Sequence, residues 1–351
     1  MIGRRLKVAR ASAGISLRDL SERIGALVTA QAIGKYERNE DMPGSRVLIA
    51  LAGALAVSEA YLLSDGEMIL EGVDFRKKTS AREEATVEAR TLQMLERYLA
   101  IEDLLHLKSA DWDQPRSAPY PVNDLRDAED AARSVREEWG LGHDPIPKLA
   151  ELLEERGIKV LSMDLEDIDG LAARVSRPDR DAARVVVVRR NIWAERKRFT
   201  LAHELGHMVM CTAPELDEEK AAHRFAGAFL MPADVIRAEV GARRSSLSMG
   251  ELVALKQRFG VSVQAIAFRC QDLGVIDKKA FSGLFREFSR RGWRSPPYAE
   301  PGCIDPTEEE PKRFDRLCFR ALAEGAIGET RAAEMLGLSV VELDRRLEEA
   351  A

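Results

Sequence analysis

Two histidines and a glutamate stand at the spacing of a catalytic metal site, in the His-Glu-x-x-His pattern formed by His203, Glu204 and His207. In a helix, residues four positions apart project from the same face, so the two imidazoles would lie one turn apart. Neutral imidazoles placed in this way can share one zinc ion, and Glu204 can then reach a metal-bound water. The spacing therefore predicts a zinc site on a helix from Phe199 to Met210.

The surroundings of this motif favour a metal over two structural alternatives. A single histidine on an apolar helix face is usually a core residue, and an acidic run at a helix start usually complements the helix dipole. Here three of the five histidines, His203, His207 and His223, fall within one short segment at helical spacings. The next helix also begins with three carboxylates that could supply a third ligand: Asp217, Glu218 and Glu219.

Both segments resemble the ImmA/IrrE family of zinc metallopeptidases. The resemblance lies in the His-Glu-x-x-His pattern and in a Phe-Ala-x-x-x-Leu-Met-Pro run that begins at Phe225. Family members carry Glu-x-x-x-Asn/Asp just ahead of that run, with the glutamate as third zinc ligand, and Glu219 occupies this position. The resemblance thus implies a zincin-like metallopeptidase domain that holds Zn²⁺, or alternatively Mn²⁺, through His203, His207 and Glu219.

His223 departs from the family pattern, because it stands where Asn or Asp is usual. We expect it to support the ligands rather than to bind the metal, and it is also the nearest candidate for stabilising an oxyanion. Asp217 and Glu218 remain alternatives to Glu219 as the third ligand. In peptide hydrolysis, the metal would polarise the scissile carbonyl while Glu204 takes a proton and returns it to the leaving amine.

The composition describes an ordinary globular chain. Its 351 residues suffice for two or three domains, and 45% hydrophobic with 32% charged residues indicates sizeable cores. The formal net charge of −6 means that any nucleic-acid surface must be local. Four scattered cysteines form neither zinc-type pairs nor a disulfide framework. Because the sequence shows no signal peptide and no membrane-length apolar run, we expect a cytoplasmic protein without a membrane partner.

Residues 1–63 predict five short helices. Ser16 and Thr29 stand as N-caps of the second and third helices, and Ile33 is expected in the core. The segment carries nine Lys and Arg against six Asp and Glu, a local net charge of +3. It resembles the Cro-repressor-like (XRE) helix-turn-helix family. The similar stretches are Gly14-Ile15-Ser16-Leu17-Arg18-Asp19-Leu20, Gln31-Ala32-Ile33-Gly34-Lys35-Tyr36-Glu37-Arg38 and the Leu-Ala-x-Ala-Leu run from Leu51.

This second resemblance implies that Ala30 to Tyr36 is a recognition helix. It would read the major groove of a double-stranded DNA operator as part of a homodimer. The predicted base and phosphate contacts are Arg18, Thr29, Gln31, Ala32, Lys35 and Arg38. One departure is the turn from Gly25 to Thr29, which is about two residues longer than is usual in the family. The alternative to DNA binding is a small helical protein-protein module.

The rest of the chain divides at changes in composition. Residues 64–120 are predicted as a connector with a short strand at Phe75 to Lys78 and a long helix from Ser80 to Leu107. That helix could be a spacer, dimerise, or pack on the following domain. The metallopeptidase domain is expected at 121–294, a proline-rich linker at 295–311 and a helical tail at 312–351. The tail could cover the peptide cleft or contact a partner.

A small sheet is predicted beside the histidine helix, with strands at Ile158 to Leu161, Gly170 to Val175 and Arg184 to Arg189. A strand at a cleft commonly binds an extended peptide, and Gly170 to Val175 is the predicted edge; a purely structural sheet is the alternative. The stretch Gly260 to Leu273 is expected within a helical subdomain, with a second DNA-contacting unit as the alternative.

The predicted fold class is therefore mainly α with a small β-sheet (α+β). It comprises a five-helix N-terminal helix-turn-helix domain, a zincin-like metallopeptidase domain and a helical C-terminal region.

These features predict a DNA-binding transcriptional regulator that carries a zinc-dependent endopeptidase. The metallopeptidase resemblance implies a protein substrate that is a repressor, either this chain or a partner, cleaved in response to stress or a phage-borne signal. Two alternatives belong to other classes. One is a ligand- or zinc-sensing repressor with a non-hydrolysing peptidase-like domain, and the other is an antitoxin-like protein-binding regulator.

Overall fold

The fold is mainly helical with a small mixed sheet, so the predicted α+β class is confirmed. The computed structural model describes residues 2–55, 57, 59–63, 68–71, 81–107, 111–165, 168–177, 180–295 and 300–349. The predicted strand at Phe75 to Lys78 and the predicted helix start at Ser80 lie outside these residues. None of the described helices is both long and apolar enough to cross a membrane.

The N-terminal domain consists of five helices. They are α1 (Ile2–Ser12), α2 (Leu17–Arg23), α3 (Ala30–Glu37), α4 (Ser45–Leu55) and α5 (Glu59–Leu63). Both predicted caps are present: Ser16 forms a capping box with Asp19 at the start of α2, and the Thr29 hydroxyl accepts from the backbone N–H of Ala32. Because these caps satisfy amides that lack intrahelical partners, they fix where α2 and α3 begin. Ile33 is fully buried, as expected.

A long helix, α6 (Ala81–Leu104), connects the N-terminal domain to the rest of the chain. Towards the N-terminal domain, Glu96 accepts from the guanidinium of Arg5 at 2.6 Å and Arg90 donates to the Ser12 carbonyl at 2.9 Å. Its other face buries Leu95 and Tyr98 against the sheet. This helix therefore packs on both domains.

The sheets contain six strands among the described residues. They are β1 (Ile69–Glu71), β2 (Tyr120–Val122), β3 (Lys159–Met163), β4 (Gly170–Arg177), β5 (Arg180–Arg189) and β6 (Met210–Thr212). The larger sheet has the order β1-β4-β5-β3, with β3 and β5 parallel and β4 antiparallel to both its neighbours. β2 and β6 form a separate parallel pair.

The prediction that Gly170 to Val175 is an edge strand is wrong in its second half. β1 pairs there, with Glu71 opposite Arg174 and Leu70 opposite Val175. Since β1 has only three residues, it is too short to show the alternation of apolar and polar residues from which strands are recognised.

In the segment predicted as the metallopeptidase domain, eight helices among the described residues lie mainly on one face of this sheet. They are α7 (Leu125–Glu138), α8 (Leu149–Glu155), α9 (Ala194–Val209), α10 (Glu218–Leu230), α11 (Ala233–Val240), α12 (Met249–Phe259), α13 (Val263–Asp272) and α14 (Lys278–Arg290). Along β5, Val186 and Val188 share a core with α9, whereas Val185 and Val187 share a core with α6. A strand covered on both faces reads as a continuous apolar run, and this explains the four valines.

The tail adds a 3-10 helix (Pro306–Glu309) and the helices α15 (Arg313–Ala323), α16 (Glu329–Leu336) and α17 (Val340–Glu349). α15 packs beside α6, on the sheet face opposite α9, with Leu317 and Cys318 in that core. The segment predicted as a linker is closely docked in its described part. Glu309 there pairs with Arg198 of α9 at 2.7 Å and accepts from the backbone N–H of Ala150 at 2.6 Å.

Candidate active site

The helix α9 lies unusually close to its two neighbours, the sheet and α10. A Cβ atom added at Gly170 would stand 2.4 Å from Cγ2 of Thr200 and 3.0 Å from the carbonyl oxygen of Val187. On the α10 side, a Cβ at Gly206 would stand 3.1 Å from Cδ1 of Phe225. The two glycines therefore let the sheet and α10 approach α9 closely at the level of the motif.

Three predicted ligands, His203, His207 and Glu219, converge on one point. Nε2 of His203 lies 3.1 Å from Nε2 of His207. The carboxylate of Glu219 lies 3.3 Å from Nε2 of His207 and 3.6 Å from Nε2 of His203. All three donor atoms lie within 4.8 Å of one another. The α9 and α10 helices thus bring together residues 16 positions apart in the sequence.

These separations fit a single zinc ion. With zinc–ligand distances of about 2.0–2.1 Å, neighbouring donors of a tetrahedral site are about 3.3 Å apart. The two Nε2 atoms are 3.1 Å apart, and each lies close to that value from one of the two Glu219 oxygens, Oε1 for His207 and Oε2 for His203. Two imidazole nitrogens and one carboxylate oxygen would hold a zinc ion through three protein ligands, which is the number typical of catalytic rather than structural zinc.

Different contacts orient the two imidazole rings. The Nδ1–H of His207 donates to the Glu218 carboxylate at 3.1 Å, which leaves Nε2 without a proton. Nδ1 of His203 is buried and has no hydrogen-bond partner in the described residues. Its ring packs instead edge-on against the ring of His223, with centroids 4.5 Å apart.

Burial lowers the pKa of His203 below its ordinary value. The neighbouring rings of His207 and His223 lower this pKa further, whereas Glu219 opposes the shift. His203 is therefore neutral at neutral pH, and the neutral imidazole is the form that binds a metal.

The three carboxylates that the sequence left as alternatives for the third ligand make different contacts in the structure. Asp217 is the N-cap of α10 and accepts from the backbone N–H of Lys220 at 3.2 Å. Glu218 contacts the far side of the His207 ring, and Glu219 alone faces Nε2 of both histidines. Of the three, Glu219 makes the contacts that a third ligand requires, and its assignment as that ligand stays a prediction.

His223 lies outside the three-ligand group but touches it. Its Nδ1–H donates to the carbonyl oxygen of Glu219 at 2.7 Å, and its ring packs on His203. These contacts hold the first turn of α10 and one face of the His203 ring.

The predicted base, Glu204, is buried between α9 and the beginning of β4, with 7% of the residue exposed. Its Oε1 lies 3.7 Å from the position that a Cβ on Gly170 would take. Because Glu204 follows His203 directly on α9, its side chain is offset by about 100° around the helix from the metal-facing histidine.

The predicted DNA contacts lie mostly on the surface of the N-terminal domain. Arg18, Thr29, Gln31, Lys35 and Arg38 are exposed and Ala32 is half-buried. Arg18 pairs with Glu22 at 3.2 Å, and Arg38 makes two hydrogen bonds to Glu40. In the long turn before α3, the Ser21 hydroxyl donates to the Val28 carbonyl at 2.6 Å.

A pocket beside His203 is the part of the site that the sequence did not reveal. It has a volume of about 290 Å³, and its wall includes Trp193, Phe199, Phe268 and a buried lysine, Lys256. These residues come from separate segments, and none belongs to a recognisable local motif. Only the tertiary fold brings them together.

Comparisons with known families agree with this geometry. Residues 6–62 match a family model described as helix-turn-helix, and residues 153–271 match one described as the IrrE N-terminal-like domain, which is of metallopeptidase type. No curated protein matches the chain. The chain thus joins an XRE-type helix-turn-helix segment, of the DNA-binding kind found in transcription regulators, to an IrrE N-terminal-like peptidase segment, in that order.

Proposed function

We propose that this DNA-binding regulator uses its peptidase-like domain as a zinc-dependent endopeptidase that cleaves a transcription repressor. The repressor is this chain itself or a partner protein, and cleavage answers stress or a phage-type signal. The observation that carries the proposal is the convergence of His203, His207 and Glu219, with the buried carboxylate of Glu204 on the residue next to His203. A structural zinc site would not need that carboxylate.

In this mechanism His203, His207 and Glu219 hold the zinc ion. When bound, the ion supplies Lewis-acid polarisation of the scissile carbonyl. Glu204 takes a proton from the attacking water and returns it to the leaving amine. Glu218 and His223 keep the ligands in position through the contacts to His207 and Glu219.

The experiment compares the parent chain with Glu204→Gln, which keeps side-chain size and removes basicity. Both purified full-length proteins are incubated with Zn²⁺ or Mn²⁺, and chain integrity and operator release are followed together. We expect fragments and release from the parent alone, with equal metal content and equal operator affinity in the two proteins before cleavage. If Glu204→Gln releases the operator and neither protein is cut, the domain is a sensor and the peptidase proposal fails.

The DNA-binding part of the proposal rests on the exposed face of α3. The chain binds as a homodimer to a pseudo-palindromic duplex, which can be selected from a random pool with the full-length protein. On that duplex Gln31→Ala should cost on the order of 1–3 kcal/mol of binding free energy. Binding to random DNA should hardly change, and an equal loss on both duplexes would show that Gln31 does not read bases.

A further inference from the structure

The pocket of about 290 Å³ opens directly beside the candidate metal ligands. Phe199 and Thr200 line it and lie four and three residues before His203, so the helix face that bears the ligands continues into the pocket wall. His223 stands at the junction, with its ring 4.5 Å from that of His203 and 5.7 Å from that of Phe199. A peptide held at the ligands can therefore place a neighbouring side chain in this pocket.

Most of the exposed surface inside the pocket is apolar, although polar residues are among its lining. Trp193, Phe199 and Phe268 contribute three aromatic side chains, and Ala265 of α13 lines the pocket beside Phe268. Phe268 is 51% exposed, although two aromatic rings of α14 hold it in place. These rings belong to Phe281 and Phe285, at centroid distances of 5.0 and 5.3 Å. Because the Phe268 ring is both held in place and exposed, an apolar group can pack against it without a change in its side-chain conformation.

The charged groups at the base of the pocket already have partners. The Lys256 ammonium lies 3.0 Å from Glu195 and 3.1 Å from Glu300. Burial disfavours this charge, but the two carboxylates outweigh it and raise the pKa of Lys256 above its ordinary value. The Glu195 carboxylate also accepts from the Ile304 N–H, and the Glu300 carboxylate from the Val263 N–H.

At the rim of the same pocket, Arg196 pairs with Asp169. Both described cations of the lining are therefore paired with carboxylates, and the two buried glutamates each have two donors. An acidic side chain would find no available cation, and a basic one would compete with Lys256 and backbone N–H groups.

We propose that this pocket binds a large apolar side chain, preferably an aromatic one, from a residue next to the scissile bond. The inference rests on the proposed peptidase function and adds the substrate class. A phenyl group that leaves water for these walls should tighten binding roughly tenfold or more.

The test uses small probes that share one metal-binding group. The zinc-loaded full-length protein is titrated calorimetrically with acetohydroxamate, 3-phenylpropanohydroxamate, 4-aminobutanohydroxamate and the monohydroxamate of succinic acid. We expect 3-phenylpropanohydroxamate to bind more tightly than acetohydroxamate by roughly tenfold or more. The two charged probes should bind no more tightly than acetohydroxamate. We call the ratio of the affinities for 3-phenylpropanohydroxamate and acetohydroxamate the phenyl advantage. Phe268→Ala should reduce the phenyl advantage several-fold, and Ala265→Trp, which fills the pocket, should abolish it.

The matched control is Phe319→Ala, which removes a partly buried phenylalanine ring of the tail that does not line the pocket. It should leave the phenyl advantage intact, and no variant should change acetohydroxamate binding. If acetohydroxamate binds but the phenyl group adds nothing, or a charged probe gains as much, the pocket proposal is overturned while the metal centre stands. If acetohydroxamate does not bind the zinc-treated parent protein at all, the metal centre fails and the pocket role fails with it.

Discussion

At the scale of single residues, the three consecutive carboxylates at the start of α10 make different contacts. Successive helical residues point about 100° apart, so Asp217, Glu218 and Glu219 cannot face the same partner. Asp217 caps the helix, Glu218 orients the His207 ring and Glu219 faces both Nε2 atoms. Removing each of them should therefore have a different consequence.

Glu219→Ala should abolish stoichiometric zinc binding, because it leaves only two protein ligands. Glu218→Ala removes an orienting contact and should weaken zinc binding about 10–100-fold. Asp217→Ala should leave zinc affinity within a few-fold and cost about 1 kcal/mol of stability through the lost cap. Competition with a chromophoric chelator measures all three affinities. Full zinc affinity in Glu219→Ala, with loss in either neighbour, would assign the third ligand to that neighbour instead.

The residues of the site differ in how far the sequence could predict them. The pair His203 and His207 follows from helical spacing alone, because two side chains on one helix need no tertiary information. Glu219 could be singled out from its two acidic neighbours only through the family resemblance, since the relative rotation of α9 and α10 decides which carboxylate faces the histidines. Phe268 and Lys256 could not be placed at the site, because their positions depend on how separate helices pack.

At the scale of elements, the close approach of α9 to the sheet makes Gly170 a sensitive position. A Cβ there would meet Cγ2 of Thr200 at 2.4 Å, well inside normal contact, and would press on the turn of α9 that precedes the metal ligands. The helical Gly250 of α12 is a matched control, because a Cβ there would meet nothing within 4 Å.

Gly170→Ala should therefore destabilise the protein by about 1–3 kcal/mol through overpacking, and should also weaken zinc binding. Gly250→Ala should be neutral or stabilising by up to about 1 kcal/mol, because alanine favours the helix more than glycine does. Urea denaturation of both variants measures the difference. Equal stabilities would mean that the sheet and α9 can separate at this point without cost.

A buried carboxylate, Glu154, joins three elements on the other side of the sheet. It accepts from the Tyr98 hydroxyl of α6 at 3.3 Å and from the backbone N–H of Arg313 in α15 at 3.1 Å. Burial raises its pKa to about 7, although both donors and the charges of Arg313 and Arg316 oppose the shift. The folded protein therefore holds a proton at Glu154 over a pH range in which an unfolded glutamate has lost it.

The sign of the resulting pH effect follows from proton binding. Between the ordinary pKa of 4.5 and about 7 the folded state binds the extra proton, so raising the pH through this window destabilises the parent. Glu154→Gln has no such proton, and its stability relative to the parent should rise by on the order of 3 kcal/mol between pH 4.5 and 8. Urea midpoints across this range test the effect, with exposed Glu155→Gln as the control. A difference between Glu154→Gln and parent that stays flat with pH would contradict it.

Helices and strands could be predicted where a local sequence pattern, such as an N-cap residue or a run of alternating apolar residues, marks them. Elements that depend on pairing between distant segments could not. Two helices with side-chain caps, α2 and α3, begin where Ser16 and Thr29 predict. The three-residue strands β2 and β6 were not predicted, because pairing between distant short segments leaves no local pattern. The docking of the proline-rich segment was also missed, since its anchors are single glutamates that meet buried arginine and lysine side chains of α9.

At the scale of the whole molecule, α6 is the helix that contacts both the N-terminal domain and the peptidase-like domain. One part of it contacts α1 of the DNA-binding domain, and its buried face packs on the sheet that supports α9. Its buried Glu102 pairs with the buried Lys159 of β3 at 3.0 Å and with the half-buried Arg313 of the tail. The N-terminal domain is thus attached to a helix that is itself fixed to the peptidase-like core.

The contact between α1 and α6 includes the largely buried pair of Arg5 and Glu96 at 2.6 Å. Glu96→Ala removes the carboxylate, so the Arg5 guanidinium loses this ionic partner and the α1–α6 contact weakens. We expect amide hydrogen exchange in α1 to become about tenfold faster, corresponding to about 1.4 kcal/mol, while exchange in α9 stays unchanged.

The matched control is Glu22→Ala, which removes the partner of Arg18 in an exposed pair at 3.2 Å on the same domain. An exposed pair contributes little, so exchange in α1 should stay close to that of the parent. Unchanged exchange in α1 of Glu96→Ala would show that this pair does not hold the DNA-binding domain on α6. Faster exchange that spread into α9 would mean instead that the two domains unfold as one unit, and that α6 is part of a single continuous core.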